Sequence, residues 1–67
     1  MVNTNMVKAK IAEKGYNQAS VAAKMGISYQ SFNYKVNNIR EFKVSEIDTL
    51  CKILDIEKND APLFFLS

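Results

Sequence analysis

The sequence predicts an all-α domain of five short helices, and three observations carry that prediction. Apolar residues recur three and four apart, most clearly at Ile47, Leu50, Cys51 and Leu54. Capping types stand at the breaks: Thr4, Asn17, Ser28 and Ser45 at helix starts, Gly15 and Gly26 at helix ends. One proline and two glycines in 67 residues leave too little turn chemistry for a loop-rich or all-β chain. The hydrophobic share of 48% suits a folded chain, and the length suits one small domain, residues 1–67, near the lower limit for a self-sufficient core.

The first helix is expected over 4–14. Thr4 caps it, Val7 and Ile11 mark its buried side, and Lys14 precedes Gly15. Tyr16 packs back over the turn. The second helix spans 17–25, opened by Asn17, with Val21, Ala22 and Met25 as its apolar stripe. Ala22 is small enough for another helix to cross closely. Gly26 suits a left-handed backbone position that a side chain resists. Ile27 then plugs inward and Ser28 caps the next helix.

The third helix is expected over 28–37. Phe32 and Val36, four apart, define its buried side. With Phe32 at zero and 100° per residue, Val36 falls at about 40° and Ser28 at about −40°. Gln30, Tyr34 and Asn37 fall at about 160°, 200° and 140°, opposite the core. Ser31 and Asn33 flank them. This outward face is uncharged, rich in hydrogen-bonding groups and partly aromatic, where a solvated helix face more often carries Glu and Lys pairs.

Asn37-Asn38 supplies the left-handed tolerance that ends the third helix, and residues 38–43 connect onward, with Phe42 tucked into the core. Ser45 with Asp48 makes a capping-box-like start for a fourth helix over 45–54. Asp60-Ala61-Pro62 opens a last turn over 59–65, with proline at the first helical position. Leu63, Phe64, Phe65 and Leu66 cannot all face one small core. Either they cap the domain or some of them form a dimer contact.

Net charge is only +2, but it is unevenly spread. Residues 1–45 hold seven cations against Glu13 and Glu41; residues 46–67 hold Lys52 and Lys58 against five acids. A phosphate-facing surface belongs on the basic front. Catalysis finds no support: there is no His, no Gly-rich phosphate loop and no nucleophile beside a base. The acids Glu46, Asp48, Asp55, Glu57 and Asp60 read as solvated charge. With no His and one Cys, no metal or other cofactor is expected, and no small-molecule ligand. Cys51, alone between Leu50 and Leu54, reads as a small core residue in a reducing compartment. No apolar run approaches the roughly 20 residues that span a bilayer, and Met1–Asn5 lacks a signal-peptide pattern, so no membrane partner and a cytoplasmic location are expected.

Two short helices joined by a glycine turn, 17–32, have the layout of a helix-turn-helix, which offers its second helix to the DNA major groove. Gln18-x-x-Val21-Ala22-x-x-Met25-Gly26-Ile27-Ser28 resembles the core motif of the Cro/CI-type helix-turn-helix proteins, the lambda repressor-like superfamily. Tyr29–Asn38, Glu41-Phe42 and the aromatic tail resemble more particularly the short phage and prophage Cro-like regulators. The resemblance spans residues 4–66 and implies a five-helix domain that binds double-stranded operator DNA as a homodimer. It implies that Gln18 touches phosphate, that Tyr29, Gln30 and Tyr34 read bases, and that Ser31, Asn37, Arg40 and Lys43 lie near phosphates. Three positions depart from the pattern: Lys35 and Val36 stand where an apolar and a polar residue are usual, and Asn38 makes Asn37-Asn38 of the usual Asn-Gly.

The expected function is therefore sequence-specific reading of DNA by a repressor-type regulator. Gln30 would bond adenine N6 and N7 together, with Tyr29, Tyr34 and Asn33 beside it. Asn17, Gln18, Ser31, Lys35, Asn37, Asn38, Arg40 and Lys43 would hold phosphates. The candidate dimer contact is Leu63, Phe64, Phe65 and Leu66. The alternative is a protein-interaction module of the same fold, antitoxin-like or anti-repressor-like, that binds no DNA. Single-stranded RNA binding lacks its aromatic sheet or GXXG loop.

Overall fold

Side-chain hydrogen bonds mark where the first four helices begin. In the computed structural model, which describes residues 1–66, α1 runs Thr4–Glu13, α2 Gln18–Met25, α3 Tyr29–Val36, α4 Val44–Leu54 and α5 Ala61–Phe65. These five helices are the regular structure of the described residues, and no strand occurs among them. No helix there is long and apolar enough to cross a membrane.

The cap of α1 is Asn3, not Thr4: its Oδ1 accepts the Met6 N–H at 3.1 Å. Thr4 is the first helical residue, and its hydroxyl donates to the Val36 carbonyl at 2.7 Å. Asn17 caps α2 as expected, in a reciprocal box with Ser20. The Ser20 N–H donates to Asn17 Oδ1 at 2.8 Å, and the Asn17 N–H donates to Ser20 Oγ at 3.0 Å. Ser28 caps α3 through the Ser31 N–H at 3.0 Å. These bonds satisfy amides that have no partner within the helix.

The start of α4 differs from the Ser45–Asp48 expectation. The helix begins at Val44 behind Lys43, and Glu46 reaches back to accept the Lys43 N–H at 2.8 Å. Glu46 stands three residues beyond the cap position, which is the reach a capping box needs. Asp48 instead pairs with Lys52 one turn on. The last helix is shorter than 59–65, and Pro62 occupies its second position. The left-handed steps fall at Gly15, Gly26, Asn38 and Asp55; Asn37 itself ends α3 with a negative φ.

The core is built around α2, which packs against α1, α3 and α4. Val7, Ile11, Val21, Ala22, Phe32, Val36, Leu50, Leu54, Ile56 and Phe65 are buried. A fully buried side chain of the Val, Leu or Phe type contributes roughly 1.5–3 kcal/mol. Ala22 has no side chain beyond Cβ, so α2 can lie deep among its neighbours. Tyr16, Met25, Ile27, Phe42, Ile47 and Cys51, half-buried, close the edges of this core. Phe42 makes edge-to-face contacts with Phe32 and Phe65, at 6.1 and 6.0 Å between ring centroids. This joins the loop after α3 to the chain end. The Asn3 N–H donates to the Phe64 carbonyl at 2.7 Å and ties the two ends of the fold together.

Candidate nucleic-acid interface

The buried stripe of α3, Phe32 and Val36, fixes the opposite side of the helix outward. Tyr29 is 54% exposed and Gln30 is exposed; Tyr34 is half-buried. The Gln30 amide donates to the Tyr34 hydroxyl at 2.9 Å across one helical turn. The Arg40 guanidinium lies over the Tyr34 ring, 5.1 Å from its centroid. The backbone sets this stacking: the Ile39 and Arg40 N–H groups both donate to the Tyr34 carbonyl, at 2.8 and 3.2 Å. One amide, one phenol and one guanidinium thus form a connected outward group. It offers donors and acceptors, a flat aromatic surface and a delocalised cation, the groups that address base edges and phosphates.

The other polar candidates divide by what holds them. Asn33 is half-buried and its amide reaches Gln18 Oε1 at 3.5 Å, linking α3 to the start of α2. The Asn37 amide turns back to the Asn33 carbonyl at 2.8 Å. Asn38 grips residue 2: its Oδ1 accepts the Val2 N–H at 2.8 Å and its Nδ2 donates to the Val2 carbonyl at 3.0 Å. Asn17 is engaged in its cap. Ser31 is half-buried; Lys43 is exposed.

Lys35 is a correction. It was expected to meet phosphate, but it is 8% exposed and its ammonium contacts both Glu46 oxygens, at 2.7 and 2.6 Å. At 100° per residue it lies about −60° from Phe32, within the buried arc, and an inward lysine needs a carboxylate. Burial pushes the Glu46 carboxyl up, but the Lys35 ammonium and the Lys43 N–H outweigh it and hold it below its ordinary value. No sequence signal linked residues 35 and 46, which meet only through the fold.

The tail also divides. Phe65 is buried and packs on Phe42, so it belongs to the core and not to a dimer contact of the folded chain. Phe64 is half-buried, while Leu63 and Leu66 are 57% and 72% exposed. Ile39, beside Arg40, is an exposed apolar residue that the sequence reading did not single out.

Away from α3, an open groove runs between α4 and residues 56–61, with Val44, Ile47, Cys51 and Ala61 on its apolar side. Burial, with the charge of Asp48, raises the Cys51 thiol above its ordinary value, which disfavours the thiolate. Among the described residues, no group of three or more His, Cys, Asp or Glu is placed to hold a metal ion.

The fold and this surface define a small all-helical domain with one polar, partly aromatic helix face turned outward. The chain belongs to the family described as "Protein of unknown function (DUF739)", whose model matches residues 3–67. No curated protein and no solved structure matches it.

Proposed function

We propose that the chain is a sequence-specific double-stranded DNA-binding regulator of the Cro/CI type, of the phage or prophage repressor kind. In this reading α2, the Gly26 turn and α3 form a helix-turn-helix, and α3 enters the major groove. The observation that carries it is the connected group of Gln30, Tyr34 and Arg40 on the outward side of α3. Gln30 exchanges its bond to Tyr34 for a paired contact to adenine, Tyr29 and Tyr34 flank it, and Arg40 and Lys43 hold the backbone. Two copies on half-sites roughly 34 Å apart match a homodimer on a palindromic operator. The protein acts in the cytoplasm, without a cofactor, and is not an enzyme.

Selection of bound fragments from a random duplex library tests the reading directly. A recovered motif with half-site symmetry supports it; no retardation of any duplex at low salt refutes it. On the recovered site, Gln30→Ala costs about 1–3 kcal/mol and relaxes one base position. Arg40→Ala weakens all sequences alike and flattens the salt dependence. Equal loss from Gln30→Ala on every duplex contradicts the assigned roles. The exposed Leu63 and Leu66 favour one second reading, a protein-interaction module of the same fold. A stable complex with a protein partner and no DNA retardation would select it.

A further inference from the structure

We infer that the Lys35–Glu46 ion pair is a positioning device, which sets how α3 and the loop behind it present Gln30, Tyr34 and Arg40. The inference rests on the DNA-binding reading above and names two residues that touch no DNA. Glu46 makes bonds at both ends of one segment. Its carboxylate holds the Lys35 ammonium near the end of α3 and accepts the Lys43 N–H at the start of α4. The chain between these anchors carries Arg40, stacked on Tyr34. Tyr34 is the neighbour of Lys35, and its carbonyl holds the Ile39 and Arg40 N–H groups. A shift at residue 35 is therefore passed to the outward group through one peptide unit.

The pair is well shielded, with side-chain exposures of 10% and 15%. Such a pair seldom stabilises a fold more than well-packed apolar residues of similar volume. What it adds is direction: charged hydrogen bonds fix angle and distance, whereas apolar contact is non-directional. Both α3 and α4 pack on α2. The pair links two helices that share a support, and it fixes their relative setting beyond what that shared packing gives.

The test is the double variant Lys35→Met with Glu46→Leu, which keeps the volume and removes both charges. Discrimination between the selected site and random duplex is measured well below the melting midpoint. It falls about tenfold if the pair positions the outward group. Lys35→Arg, which keeps the charge, retains the wild-type ratio. In parallel, hydrogen exchange at the Ile39 and Arg40 amides accelerates about tenfold relative to Val21 and Leu50. A purely stabilising role changes all four amides together and leaves the DNA ratio untouched. Unchanged discrimination in a folded double variant overturns the inference. If that variant does not fold, Glu46→Gln carries the same two measurements. If the wild-type chain retards no duplex, the DNA-binding reading fails, and the exchange ratio alone decides whether the pair positions the loop.

Discussion

Gly26→Ala separates the backbone requirement of the α2–α3 turn from any steric one. Gly26 sits at φ 74° and ψ 25°, and a Cβ built there meets nothing within 4 Å. No clash enters the cost, so what remains is the left-handed conformation. That costs an L-residue roughly 1–2 kcal/mol. Alanine also narrows the unfolded ensemble, which offsets about 0.4–1 kcal/mol. The net loss is about 1 kcal/mol, out of roughly 3–10 kcal/mol for a chain this size. Thermal melts followed by far-ultraviolet circular dichroism should show a drop of about 4–8 °C. Gly15→Ala provides the control: Gly15 has φ 76° and its Cβ position is equally open, so the drop should match. Because nothing is displaced, the affinity of Gly26→Ala for a selected site should stay within about twofold of wild type at low temperature. A loss above about 3 kcal/mol at Gly26 alone would reveal a close approach that the geometry denies. A net gain in stability would mean that the turn is not left-handed.

Three further outcomes follow from the packing and the charges. Leu54→Ala empties a fully buried site on α4; a cost of about 2–5 kcal/mol takes roughly half of the stability, so urea titration should find a midpoint roughly halved from wild type. Asn38→Ala removes the grip on residue 2 and places alanine at φ 64°; about 1–3 kcal/mol should be lost in thermal melts, and Asn38→Gly should recover only the backbone part. The folded value of the Glu46 carboxyl lies below its ordinary one, so its ionisation favours the folded state above the unfolded glutamate value. That contribution drains as pH falls from about 4.3 through the lower folded value. Glu46→Gln should flatten this acid limb in urea midpoints measured across pH, and an unchanged limb would assign it to other groups. The exposed Glu13 and Asp55 are also lowered, by half-buried Lys10 and Lys14, and add little.

Local chemistry made most of the helical framework legible. Asn17, Ser28 and Gly26 act through their own or neighbouring backbone, so their roles around α2 and α3 could be read without a fold. The stripes of Val7 and Ile11, Phe32 and Val36, and Leu50 and Leu54 follow from helical period alone. The same period placed Gln30 opposite the core. Failures came where two options were locally equivalent. Asn3 and Thr4 are both capping types, and the tertiary bond from Thr4 to Val36 decided between them. Ser45 looked a better cap than Lys43, but Glu46 serves Lys43 and Lys35 at once, which ties the start of α4 to α3.

The sequence by itself determined the helices, their turns and the outward side of α3, because caps and periodicity act within a few residues. Tertiary structure alone decided the partners of Lys35, Asn38 and Phe65. Lys35 could have met solvent until Glu46, eleven positions away, was folded beside it. Asn38 acquired its role from residue 2, and Phe65 from Phe42, a ring that only chain reversal brings near. Side-chain type fixes what a residue can bond, but long-range packing fixes which partner is within reach.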